Sequence, residues 1–263
     1  MRITISKINT QIKTAFVQWF PALILIFLLL VIWEITCRIA EVPKWLLPVP
    51  TDIMIELYQH WNLLLRHSFV TLYEILIGFS FSIITGILIG GFIVYSKTLE
   101  KTLYPIIISS QTIPIIAIAP ILLVWFGYGL LPKILVVGLI AFFPIAVNTI
   151  DGLKSIDEDI VKMMKTLGAN KYQIFKKIQI PNSLPYIFTG LRIGMAASVI
   201  GAVISEWVGS SEGLGYLMIR SKPQFLTERV FAAIFLLSII GFLLFLLVNY
   251  CEKKVVYWKT SSE

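Results

Sequence analysis

Charge is scarce in this chain. Only 14% of its 263 residues are Asp, Glu, Lys or Arg, and 57% are hydrophobic, where a soluble domain carries about 25% charged residues. The mean hydropathy is +0.86, and that balance makes lipid the expected solvent. Cysteine and histidine are scarce too, at two each. Cys37 and Cys251 lie far apart, in or beside apolar runs, with no C-x-x-C. This excludes a disulfide framework and a zinc spacing and reads as small buried hydrophobes. His60 and His67 share one segment and form no H-E-x-x-H pattern, so they read as loop or interfacial residues and no metal ligands are expected. No catalytic constellation is available at membrane depth, and an enzyme is not expected. The chain also lacks G-x-x-x-x-G-K-[ST], so it offers no phosphate loop of its own.

What the chain does have is long apolar runs. A bilayer core about 30 Å thick takes roughly 20 apolar residues of helix. Six candidate spans follow: Trp19–Ile39, Phe69–Tyr95, Leu103–Phe126, Pro132–Asn148, Tyr186–Val208 and Val230–Tyr250. The first continues without a small-residue cleavage site, so it is read as an uncleaved span. The third contains Pro105, Pro114 and Pro120, which free backbone carbonyls, so it is expected to be kinked, broken or re-entrant. Segment Ala40–Ser68 carries several prolines and then a short amphipathic run, and predicts an interfacial helix.

The net charge of +7 reports orientation rather than a nucleic-acid partner. With the N-terminus inside, the cytosolic segments hold most of the lysines, among them Lys7, Lys97, Lys101, Lys162, Lys171, Lys176, Lys177 and Lys253. Both termini are therefore expected in the cytosol. The expected organisation is a cytosolic segment over 1–18, a permeating membrane domain over 19–250 with a cytosolic loop at 151–185, and a cytosolic tail over 251–263. Met1–Lys13 is expected along the inner membrane face.

That loop is punctuated like two short helices. Ser155-x-x-Glu158 predicts a capping box. A stripe of Ile156, Ile160, Met163, Met164 and Leu167 follows at helical spacing. Gly168 predicts the stop, since it takes positive φ without steric cost. Asn170-x-x-Gln173 predicts a second capping box, and Tyr172, Phe175 and Ile178 form the next apolar stripe, with Pro181 ending the helix. Such an elbow either lies on the membrane with its lysines toward anionic lipid, or docks aromatic anchors into a groove on a soluble partner.

Here the chain resembles a known family. Gly168, nine residues, then Ile178-Gln179-Ile180-Pro181 is similar to the cytoplasmic-loop signature of bacterial ABC importer permeases, which reads EAA, three residues, Gly, nine residues, I-x-L-P. The EAA positions fall on Lys162-Met163-Met164, a departure that removes the acidic residue. LLPVPTD at Leu46–Asp52, QTIPIIAIAPILLVWFGYG at Gln111–Gly129, FFPIAVNTIDGL at Phe142–Leu153, SLPYIFTGLRIG at Ser183–Gly194 and EWVGSSEGLGYLM at Glu206–Met218 carry the resemblance across most of the chain. They are similar to the branch importing sulfonates, taurine, nitrate, thiamine-pyrimidine precursors or riboflavin, and the last stretch looks most like the pyrimidine-precursor members.

The resemblance implies an all-α integral membrane protein with about six transmembrane helices, in the type I ABC importer permease (MetI-like) architecture. Coupling helices would lie between spans four and five. It implies a second permease copy in a homodimer, an ABC ATPase dimer, and a periplasmic or lipid-anchored substrate-binding protein, all at the bacterial inner membrane. ATP and Mg would sit on the ATPase, and this chain would bind no cofactor. The coupling contacts would center on Gly168, Ala169, Tyr172 and Phe175. Lys165 and Lys171 would stand at the rim, with Thr166, Leu167, Asn170, Ile178 and Pro181 completing the loop.

Charges and glycines within the spans are further candidates. Glu34 and Arg38 pair at i, i+4, and Glu74 reads as a snorkelling residue near a span end. Arg192 and Glu206 are candidate gate or pathway residues, as is the polar cluster Ser109, Gln111 and Thr112 beside Pro114. Gly213 and Gly215, in a glycine-rich outer loop, are candidate binding-protein contacts. Gly86-x-x-x-Gly90, with Gly78 and Gly91, offers a close helix–helix face. The competing reading is a self-contained secondary transporter or channel, for which deep carboxylates or broken helices at the midplane would be the mark.

Overall fold

The computed structural model describes residues 2–258, and side chains from residue 20 onward. In chain order the helices are α1 (Arg2–Ile39), α2 (Pro50–Gln59), α3 (Trp61–Tyr95), α4 (Lys97–Ser110), α5 (Ile115–Phe126) and α6 (Leu130–Lys154). Then come α7 (Glu158–Thr166), α8 (Lys171–Ile174), a π-helical turn (Phe175–Gln179), α9 (Ile180–Gly209), α10 (Leu214–Ser221) and α11 (Thr227–Val255). Among the described residues there is no strand, as expected for backbone that must satisfy its own polar groups in lipid. Among the described residues five helical stretches are long and apolar enough to cross a membrane, and α4 with α5, bent by 98°, makes a sixth if the pair is counted as one span. The bend falls where Pro114 caps α5 in extended backbone, while Pro105 and Pro120 are carried inside the two helices.

The chain divides into two compact units, Met1–Trp61 with Ser221–Ala232, and Asn62–Arg220 with Ala233–Glu263. In the first, the apolar stretch of α1, Phe20–Ile39, is 6% buried, which suits a helix bathed in lipid. The Glu34–Arg38 pair forms, and Thr51 at the start of α2 joins it by donating its backbone N–H to Glu34 Oε2 at 3.1 Å. The amphipathic run does become a helix: Pro50 presets its first turn, and α2 buries Ile53 and Leu57. Glu56 accepts from Arg229 Nε at 2.6 Å. The expectation that Met1–Lys13 lies along the membrane falls on side chains outside the described residues.

In the second unit α6 is the central helix, because small residues let its neighbours approach. A Cβ on Gly78 or Gly86 of α3 would meet Val137 Cγ1 at 2.5 Å or Ile145 Cγ2 at 2.8 Å. On the other side, a Cβ on Gly190 of α9 would meet the Pro144 carbonyl oxygen at 2.7 Å. Ser82 ties α3 to α6 by donating to the Gly138 carbonyl at 2.8 Å. Around this seam Ile75, Val137, Ala141, Ile145 and Met195 form the core, joined by Leu244 and Val248 of α11. The small-residue face is therefore Gly78, Gly86 and Gly90, and Gly91 is not part of it: nothing lies within 4 Å of a Cβ there. Cys37 is buried, whereas Cys251 is exposed.

Candidate functional site

The elbow between α6 and α9 is assembled by local hydrogen bonds. Ser155 does not cap α7. Its hydroxyl donates to the Gly152 carbonyl at 2.9 Å and accepts from Asn182 Nδ2 at 3.0 Å. The cap is Asp157, whose carboxylate accepts from the Asp159 N–H at 2.9 Å. An Asp two residues later outcompetes the Ser because a carboxylate at a helix N-terminus also meets the favourable end of the dipole. Gly168 stops α7 as expected, at φ +85°. The Gly168 N–H donates to the Lys165 carbonyl and the Ala169 N–H to the Met164 carbonyl, the paired bonds of a Schellman turn. Asn170 and Gln173 form the reciprocal capping box, both bonds at 2.9 Å.

Pro181 does not end the second helix. The chain from Lys171 to Gly209 is continuous over 39 residues. The physical reason is the π turn at Phe175–Gln179, where the Ile180 N–H reaches back to the Phe175 carbonyl. The wider turn seats Pro181 at the first positions of α9, where its missing N–H costs little.

The elbow presents apolar side chains outward. No residue of α7 is buried, and Ile160, Met163, Leu167 and Tyr172 stand 43%, 56%, 74% and 67% exposed. Lys165, Thr166, Gly168 and Asn170 are exposed beside them, with Ala169 and Ile178 half-buried. Phe175 is also half-buried, and its ring lines an apolar groove between α3, α6 and α9. Lys162, at the departed acidic position, pairs locally with Asp159 at 2.9 Å.

At the far end of α9 lies a buried polar cluster that the sequence reading scattered. Glu206 is 1% exposed. It accepts from Thr71 Oγ1 at 2.6 Å, from the Gly215 N–H at 2.5 Å and from the Tyr216 N–H at 3.3 Å, so it caps the start of α10. Leu214 N–H donates to Thr71 Oγ1 at 2.8 Å, and Gly213 N–H donates to His67 Nδ1 at 2.9 Å. His67 is thus a buried acceptor rather than a loop residue. Glu74 does not snorkel either: it is 1% exposed and accepts from Lys133 Nζ at 2.7 Å, while Lys133 also reaches Ser210 Oγ at 2.6 Å. Gly213 and Gly215 are buried against the Glu206 carboxyl, on which a Cβ at Gly213 would fall. The surface there is Ser211, with Glu212 bound to Arg66.

Arg192 is half-buried and spans from α9 to α11, donating to Glu252 at 2.6 Å and Asn249 at 3.3 Å. Sixty residues separate Arg192 from Glu252, so no local pattern in the sequence pairs them. At the α4–α5 bend, Ser109, Gln111 and Thr112 are exposed. The hydroxyls of Ser110 and Thr112 donate to the carbonyls of Ile107 and Ser109, both at 2.7 Å. Among the described residues no group of His, Cys, Asp and Glu is placed to hold a metal ion.

A family model described as "Binding-protein-dependent transport system inner membrane component" matches residues 78–257. The chain is 43% identical to the formylaminopyrimidine transport permease protein ThiX of Halalkalibacterium halodurans, covering 88% of this chain and 93% of that one. It is 32% identical to the riboflavin transport system permease protein RibX of Chloroflexus aurantiacus, covering 98% of each. Among solved structures, an inward-facing MetNI methionine ABC transporter aligns with a TM-score of 0.66 at 21% identity, over 75% of this chain and 98% of that one.

Proposed function

This chain belongs to the family of binding-protein-dependent transport system inner membrane components, the permeases of ABC importers, and on that footing we propose that its α7–α8 elbow is the grip of the partner ATPase. The observation that carries the reading is the outward apolar stripe of Ile160, Met163, Leu167 and Tyr172 on an element capped at both helix starts and at its stop. An apolar stripe on a short polar-flanked helix is unstable in water unless a groove covers it. Lys165 and Lys171 at its edge supply a polar rim, the usual anatomy of a docking face. Gly168 and Ala169 form the tight turn at its tip. Phe175, Ile178 and Pro181 carry the elbow's movement into α9, because the helix is continuous through the π turn.

In this reading both termini and the elbow face the cytosol, as the lysine bias predicts. ATP and Mg bind the ATPase, and this chain holds no cofactor. A second copy of the permease packs against the bent α4–α5 pair, where Val124 and Trp125 are 82% and 72% exposed. The exposed polar bend at Ser109, Gln111 and Thr112 then lines the path between the copies. The substrate-binding protein meets the turn after α9, with Gly213 and Gly215 shaping it from beneath and Glu206 holding it. Arg192, paired with Glu252, transmits motion between α9 and α11. The cargo is a small aminopyrimidine, supported by the 43% identity to a formylaminopyrimidine permease. Riboflavin-like compounds, sulfonates, taurine and nitrate rank behind it.

The test is co-purification with the ATPase and ATP-driven uptake in proteoliposomes. Leu167→Asp with Tyr172→Asp is expected to abolish both while the permease still inserts and keeps its thermal stability. Uptake that persists in this variant, or without any ATPase, overturns the reading in favour of a self-contained transporter. Uptake of riboflavin or taurine in preference to a labelled formylaminopyrimidine overturns the cargo assignment alone.

A further inference from the structure

The groove that Phe175 lines is a feature the transport reading leaves unused. It has a volume of about 540 Å³ and lies between the C-terminal ends of α3 and α6 and the start of α9. Leu88, Gly91, Phe92, Leu153, Phe175 and Leu184 shape it. Three lining residues carry hydroxyls: Thr149 donates to the Ile145 carbonyl at 2.7 Å, Ser183 donates to the Ile180 carbonyl at 2.8 Å, and Tyr95 is 82% exposed. A polar solute would find few partners inside and would lose its hydration on entry. An aliphatic chain loses nothing there. Leu88 and Phe92 are 55% and 65% exposed, so the groove opens sideways onto the surface that lipid covers.

The surroundings of the groove carry positive charge. Lys97 follows Tyr95, a wall residue, by two positions, and Lys176 and Lys177 directly follow Phe175. Among the described residues none of Lys97, Lys176 and Lys177 has a carboxylate partner. Lysines at the cytosolic membrane boundary attract anionic lipid headgroups. We propose that this groove seats one acyl chain of an anionic glycerophospholipid, with its phosphate held by Lys97 and Lys177. The lipid then contacts Phe175 directly, one turn from the elbow, and so enters the mechanical link between the coupling loop and α9. The placement in the inner leaflet rests on the orientation proposed above. The binding itself does not, since it is read on the purified chain without ATPase.

Gly91 supplies the test, because nothing lies within 4 Å of a Cβ there. Gly91→Phe adds a ring to the groove wall at a position where the new Cβ meets no neighbour, and Gly91→Leu is a smaller plug. Native mass spectrometry of the detergent-purified chain, titrated with phosphatidylglycerol or phosphatidylcholine of matched chains, reads retention. The unmodified protein is expected to retain phosphatidylglycerol about tenfold better than phosphatidylcholine. Gly91→Phe is expected to lose that retained lipid with an unchanged melting temperature, and Gly91→Leu to lose part of it. Lys97→Gln with Lys177→Gln is expected to keep lipid retention and lose the headgroup preference. Equal retention in Gly91→Phe and the unmodified protein overturns the proposal. So does a headgroup preference that survives the lysine substitutions. A Gly91→Phe permease that keeps its lipid and loses uptake would instead make the groove part of the solute route.

Discussion

At the scale of single residues, the cluster around Glu206 shows how charge is kept inside an apolar bundle. Glu74 and Lys133 are buried as a pair, with side chains 1% and 12% exposed. Breaking such a pair leaves one charge uncompensated, whereas removing both does not. Lys133→Met is expected to destabilise the detergent-solubilised protein by about 3–5 kcal/mol, and Glu74→Leu added to it to recover most of that loss. A double-mutant cycle on unfolding midpoints measures the coupling, and additive losses would contradict it. Gly213 is the second residue on which the cluster depends. It sits at φ +115° with the Glu206 carboxyl where a Cβ would go. Gly213→Ala is expected to cost about 2 kcal/mol or more, and Gly91→Ala, in open space, to cost nothing. Equal melting temperatures for the two variants would remove the assigned role of Gly213.

At the scale of elements, the elbow owes its rigidity to three local devices: the Asp157 cap, the Gly168 stop and the Asn170–Gln173 box. Asp157→Ala and Asn170→Ala each remove a cap worth about 1 kcal/mol. Hydrogen exchange should show faster amides at the starts of α7 and α8 respectively. Ser155→Ala should leave the α7 amides unchanged, because its hydroxyl ties the end of α6 to Asn182 instead. Gly168→Ala forces a side chain into the left-handed region and costs about 1 kcal/mol. If the elbow couples as proposed, that variant should lower transport-coupled ATP hydrolysis more than it lowers the protein's stability. The α3–α6–α9 sandwich is less tolerant, since its glycines face backbone as well as side chains. A residue there cannot turn aside as the tip of a flexible side chain would.

At the scale of the whole molecule, the exposed apolar surface falls into two kinds. Helices such as α1 expose it along a lipid-length span, and α7 exposes it on a nine-residue helix flanked by charge. The second kind is the one for which a protein partner is proposed above. The α4–α5 pair is intermediate, with no buried residue in α4 and a sharp bend. In a background with Cys37→Ser and Cys251→Ser, Val124→Cys is expected to form a disulfide-linked dimer on mild oxidation of membranes. A monomer-only gel across a scan of Ile121, Val124 and Trp125 would contradict the proposed contact with a second copy.

Much of this protein was legible in its residues. The spans, the break at Pro114, the Gly168 stop, the Asn170 box and the family signature all depend on local chemistry: apolar run length, a missing N–H, a missing Cβ, a short side-chain acceptor. These are set within a few residues along the chain. What only the tertiary structure decided concerns partners far apart in sequence. Glu206 became a cap for α10, Glu74 found Lys133, and Arg192 found Glu252. His67 became an acceptor for Gly213, and Pro181 was carried through a π turn instead of ending its helix. A buried polar group takes whatever partner the packed helices bring to it, and the order of residues along one strand of chain does not contain that meeting.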